Sequence, residues 1–152
     1  MWSALFSFVN IVAIAAWLVL AAAPRTPLVY SVILYLGVAL LCLVYTVFFA
    51  LVTTGQLDPA ASPGAGQPGF GSLAEVQAIF QSQGGALIGW THYLAFDLFV
   101  GLWISRDADA KGFGRLIQLP FLFATFMAGP IGLFAWLIVR ERAARRTAKG
   151  QV

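Results

Sequence analysis

Charge is scarce in this 152-residue chain: Asp, Glu, Lys and Arg together make up 10% of it, against about 25% in an ordinary soluble domain. Hydrophobic residues supply 61% and the mean hydropathy is +0.87. Such a composition describes a membrane protein and leaves no room for a separate soluble domain. Only one cysteine is present, Cys42 within an apolar run, which excludes an intrachain disulfide and leaves the redox compartment open. The single histidine, His92, has no Cys, Glu or second His nearby; ligation of a haem by two histidines of one chain is excluded and no metal site is predicted. No Lys or Arg precedes the first apolar stretch, which is also longer than a signal-peptide core. Despite the small residues Ala21 to Ala23, that stretch therefore reads as a retained helix.

What is present is a set of long apolar segments. A bilayer holds about 30 Å of hydrocarbon, crossed by about 20 helical residues. Four stretches meet that length, at about 2–23, 28–52, 85–104 and 119–139, and they predict an all-α polytopic membrane protein folded as one domain over 1–152. The short turn through Pro24 and Pro27 pairs the first two as an antiparallel hairpin. From 53 to 71 the chain is dense in Gly and Pro, including Pro59, Pro63, Gly64 and Pro68, and reads as a surface loop.

Ser72 and Glu75 then form an S-x-x-E capping box. A short amphipathic helix follows over about 72–83, with Leu73, Val76, Ile79 and Phe80 on one face. It suits either the membrane surface or a lid on the helix ends. Gly84 and Gly85 are read as a bend into the third span, and Ser105 to Gly114 as a polar turn after it. In the fourth span Pro120 suits a first turn, whereas Pro130, after Gly129, predicts a mid-helix kink.

Four crossings place both termini on one side. Counting Lys and Arg by side then gives five for the tail against four opposite, a margin of one in favour of cytoplasmic termini. The net charge of +3 comes mainly from the tail 140–152, with Arg140, Arg142, Arg145, Arg146 and Lys149. Beside a membrane helix that run reads as headgroup contact, not nucleic-acid binding.

The third span holds the chemistry. His92 and Asp97 lie near its middle, where an Asp costs roughly 2.5 to 3.5 kcal/mol on insertion scales, so a partner or a function must offset it. Trp90, Tyr93, Asp97 and Gly101 share one helical face, and His92, Phe96, Phe99 and Trp103 another. Five residues turn a helix by about 140°, so His92 and Asp97 read as two separate groups. Bland alternatives are a salt bridge from Asp97 to Arg106, Arg115 or Arg25, and an interhelical hydrogen bond from His92. Asn10, Thr125, Tyr35 and Tyr45 are available as partners.

A resemblance becomes specific at these residues. GWTHYLAFDLFVGLWISRD, then Gly114, Arg115 and LPFLFATFMAGPIGL, resemble the neoxanthin-synthase-like family, named for the plant abscisic acid-deficient four protein. The opening FSFVNIVAIAAWLVLAAAPR is also similar to that family's first helix, with Asn10, Trp17, Pro24 and Arg25 in order. Being compact and without a plastid transit peptide, the chain looks like a bacterial member, integral to the inner (cytoplasmic) membrane.

The resemblance implies a membrane protein that converts an epoxide end group of a carotenoid into an allenic alcohol, without redox change and without a cofactor. An acid must protonate the epoxide oxygen and a base must take a proton from the polyene side. On this basis Asp97 is the expected acid and His92 the base. Arg106 or Arg115 is available to polarise the oxygen, and Trp90, Tyr93, Phe96 and Phe99 are expected to line an apolar groove, with Asn10, Thr125 and Pro130 as further ligand contacts. The expected partner is a carotenoid or another membrane lipid. Two other classes compete: a non-catalytic scaffold with His92 and Asp97 as interhelical glue, and a proton-coupled carrier, for which four spans would require a homodimer.

Overall fold

A computed structural model describes residues 1–57 and 66–149, with the backbone alone from 142 to 149. Pro59, Pro63 and Gly64 of the Gly/Pro-rich connection lie outside the described residues, as do the side chains of Arg142, Arg145, Arg146 and Lys149. Every regular element among the described residues is helical. Three helices are long and apolar enough to cross a membrane: α1 (Trp2–Ala22), α2 (Pro27–Thr53) and α4 (Gln83–Ala110). Between the last two lies the short α3 (Leu73–Ile79).

Local signals explain the boundaries. Thr26 caps α2 by accepting from the Val29 amide at 3.2 Å, and Pro27 occupies the first turn, where a missing donor costs nothing. Ser72 caps α3 in the same way, but the Glu75 carboxylate reaches one residue further back than a capping box requires, to the Gly71 amide at 2.8 Å. Inside α2 the stretch Ile33–Ala39 widens into a π-helix. Gly37 sits within it, where a β-carbon would come 2.9 Å from Leu98 and 3.0 Å from Ala16, so three helices meet closely at that glycine.

Two expected turns are helix instead. Ser82 caps α4 by accepting from the Gly85 amide at 2.9 Å, so Gly84 and Gly85 are its first turn and not a bend. The reversal falls just before, at Phe80 to Ser82, and Gly85 is needed because a β-carbon there would strike the Ile79 carbonyl. At its other end α4 runs on through Ser105, Asp107 and Asp109 to Ala110; only Lys111 to Gly114 form the turn, with Gly112 at φ +72°.

The largest departure is the fourth span. The stretch 119–139 is not one kinked helix but parts of two, α5 (Arg115–Met127) and α6 (Gly129–Lys149), which fold back on each other at Ala128. Trp136 of α6 packs edge-on against Phe113 and Phe121, with ring centroids 5.1 and 5.4 Å apart. Pro120 lies inside α5, not in its first turn, and Pro130 opens α6 instead of kinking a longer helix.

α4 forms the centre, touching α1, α2, α5 and α6. Its buried Leu98, Leu102 and Ile104 meet Val9, Ala13 and Leu20 of α1, Leu41 of α2, and Leu122 and Trp136 of the hairpin in one core. Trp17 lies over Gly101, where a β-carbon would run into the indole. Most remaining large apolar side chains are exposed on the outside of the bundle, as lipid contact requires.

Candidate functional site

The helices set up two separate places around the middle of α4. The first is an open cleft of about 250 Å³ between α2, α3 and the first half of α4. Its walls include Tyr45 and Phe49 of α2, Phe70, Val76, Ile79 and Phe80 around α3, and Ile88, Gly89, His92 and Tyr93 of α4. His92 stacks on Phe96 with centroids 4.5 Å apart and lies 5.7 Å from the Tyr45 ring and 6.2 Å from the Tyr93 ring. An imidazole and two phenols are thus the polar groups of an apolar, aromatic-walled cleft. Small-ligand sites span about 300–1,000 Å³, so this cleft is smaller than the usual site for a whole small molecule.

The second place is the tip of the α5–α6 hairpin. Asp97 stands fourteen residues after Gln83 and thirteen before Ala110, about halfway along α4. Its carboxylate accepts the Gly129 amide, at the N-terminus of α6. The Ala128 amide donates to Ala124 at 2.8 Å, Ile131 and Gly132 donate to Ala128 at 2.9 and 3.3 Å, and Pro130 has no N–H. Every backbone donor at this reversal is therefore satisfied, which irregular backbone at membrane depth demands.

His92 and Asp97 therefore face different neighbours, as the rotation between them predicts. A match to the ABA DEFICIENT 4-like family model runs over residues 4–136. The chain belongs to that family. Comparison with curated proteins gives no match, and comparison with solved structures gives none. It is an integral membrane protein by its apolar helices and its family.

The three segments whose residues resemble the family meet in space. Trp17 of the first covers Gly101 of the second, and Asp97 of the second holds Gly129 of the third. Asn10 accepts from the Trp90 indole at 3.2 Å and donates to Phe6 at 2.7 Å. Asn10 and Trp90 thereby tie α1 to α4 outside the cleft. Of the expected groove residues only Tyr93 lines it; Phe96 backs His92, and Phe99 is exposed away from it. Thr125 is buried and bonds its own helix at Phe121, while Pro130 belongs to the hairpin tip.

Arg106 and Arg115 are far from both places, at the α4 C-terminal end. Arg106 lies over the Tyr30 ring at 5.0 Å, and Arg115 donates to the Ala21 and Ala23 carbonyls, closing the C-terminus of α1. Around them is a polar cluster on residues whose sequence pattern predicts a turn. Arg25 contacts Ser105, Tyr30 and Asp109, and Gln118 donates to Asp109 and to the Phe113 carbonyl, each at 2.8 Å. Asp107 takes two bonds from Arg140, at 2.9 and 3.0 Å, one from Lys111 at 2.7 Å and one from the Trp136 indole at 3.0 Å. The expected partner arginines thus pair elsewhere, and none bonds Asp97.

Phe49, Phe70, Ile79 and Phe80 are cleft residues that the sequence does not assign to a site, and Tyr45 is expected only as a hydrogen-bonding partner. The apolar face of the capped helix is the signal for Ile79 and Phe80; nothing local marks Phe49 or Phe70.

Proposed function

We propose that this ABA DEFICIENT 4-like protein takes one end of a carotenoid or related long terpenoid into the cleft at His92 and isomerises an epoxide end group there. The observation that supports this most is the imidazole of His92 set between the Tyr45 and Tyr93 phenols in an otherwise apolar, open cleft. Opening the epoxide breaks its C–O bond as a proton reaches the oxygen, and the allene forms as a proton leaves the polyene carbon; the two transfers cancel and no cofactor is consumed. His92 takes the carbon-bound proton, and the hydroxyl of Tyr45 or Tyr93 serves the oxygen. Asp97 keeps the hairpin tip in place instead of acting on the ligand. Phe49, Phe70, Ile79 and Phe80 keep water from the reacting end group.

Expression in cells that supply an epoxy-carotenoid, followed by chromatography of the pigments, tests the reading. Allenic product from the wild type and its loss in His92→Ala, with the variant still inserted in the membrane, support it. Identical pigment profiles for the two proteins overturn it. A scaffold role is distinguished by a His92→Ala protein that inserts normally, leaves pigments unchanged and loses a copurifying partner.

A further inference from the structure

The two ends of the bundle differ in charge far more than a four-crossing topology suggests. At one end α1 begins, α2 finishes and α4 begins: the Trp2 and Phe48 rings are 6.0 Å apart, and Phe6 is 6.3 Å from Trp90. At the other end Arg25 after α1 meets Ser105 and Asp109 of α4, and Arg115 at the start of α5 meets the last carbonyls of α1.

The hairpin decides where the tail goes. α5 rises from this second end for thirteen residues, about 20 Å at 1.5 Å each, and its tip reaches Asp97 at mid-depth. From Gly129 the chain descends again, and Arg140 returns to Asp107 at the same end from which α5 left. Hydrocarbon about 30 Å thick is not crossed by a loop that turns at half depth. The chain holds nine Lys and Arg: Arg25, Arg106, Lys111, Arg115, Arg140, Arg142, Arg145, Arg146 and Lys149. Those up to Arg140 lie at this second end, and the helix carries the rest onward from it. None occurs in the first 24 residues, nor from 53 to 83.

We propose that the chain crosses the bilayer three times and dips into it once from the basic end. The N-terminus and the connection before α3 then face one compartment, while all nine Lys and Arg fall on the cytoplasmic side, where the end formed by Arg25, Arg106, Lys111, Arg115 and Arg140 meets the anionic headgroups of that leaflet. Nine cations against none replace the margin of one that four crossings give, and a cationic end of this kind fits an anionic phospholipid surface. The inference holds whatever occupies the cleft.

Single cysteines in the full chain with Cys42→Ser test it, at Ser3→Cys, Gly66→Cys, Ala110→Cys and Ala148→Cys. They are labelled with a membrane-impermeant maleimide in bacterial spheroplasts, before and after permeabilisation. Labelling of the first two in intact spheroplasts, and of the last two only after permeabilisation, is the expected result. Positions 3 and 148 in the same compartment overturn the re-entrant hairpin, and the reverse order of labelling overturns the assignment to the cytoplasmic leaflet. A fluorescent-protein fusion after Val152 of the unsubstituted chain tests the side of the tail by itself: fluorescence is expected, and a dark but membrane-inserted fusion overturns the assignment to the cytoplasmic leaflet.

Discussion

Gly129 has no room for a side chain because the Asp97 carboxylate already fills the space where its β-carbon would go, while the same carboxylate accepts its amide. This pair places a chain reversal halfway along α4, where lipid offers the backbone no hydrogen bonds. An acid in the middle of an apolar helix thereby becomes part of the architecture, because it holds the start of α6.

Replacing Gly129 by Ala forces the carboxylate aside and is expected to destabilise the protein by about 1–3 kcal/mol, the usual cost of overfilling a packed site. Asp97→Asn keeps an acceptor oxygen and is expected to lose less, about 1 kcal/mol. Thermal unfolding of both in the same detergent checks the order. A Gly129→Ala protein as stable as the wild type contradicts this role of the pair.

Trp136 is fully buried between Phe113 and Phe121, and its indole bonds Asp107. Trp136→Ala is expected to cost about 3–5 kcal/mol, the range for emptying a packed aromatic site. It should also free α6 from α5, so that limited proteolysis cuts the tail side of the variant sooner than the wild type. Unchanged unfolding and proteolysis would show that the returning helix is held by something else.

Gly101 and Trp17 are in direct contact, so their substitutions should not add. Gly101→Ala alone is expected to destabilise, and Trp17→Leu in the same protein to recover part of that loss. Coupling of about 0.5–3 kcal/mol in the double-mutant cycle is the range for touching residues. Strict additivity would place Trp17 elsewhere.

Much of the helical architecture is legible in the sequence because hydrophobic length is a direct physical signal. The two first spans, the capped helix at Leu73 and the core of the third span follow from it. The hairpin does not, because Leu119 to Val139 is as long as a span and nothing local shows that Gly129 and Pro130 open a second helix. Tertiary contacts reveal the reversal: Trp136 against Phe113 and Phe121, and Arg140 on Asp107. Counting it as a crossing also divides the basic residues between two sides. Likewise Ser105, Asp107 and Asp109 look like a polar turn, yet Arg25, Gln118 and Arg140 satisfy them as part of a longer helix. For the site, the separation of His92 from Asp97 is readable from helical rotation. The cleft is not, since Tyr45, Phe49 and Phe70 reach it from distant parts of the chain.

The proposed function requires the cleft at His92 to hold a lipid end group. A β-carbon on Gly89 would run into the Phe80 ring at the wall of that cleft, and leucine is the better helix former. Gly89→Leu therefore obstructs the cleft within an intact α4. The direct measurement is the pigment bound per chain, by absorbance, after purification from xanthophyll-producing cells. Pigment on the wild type and on Cys42→Ser, with none on Gly89→Leu, is the predicted result; a Gly89→Leu protein carrying as much pigment as the wild type would contradict the claim.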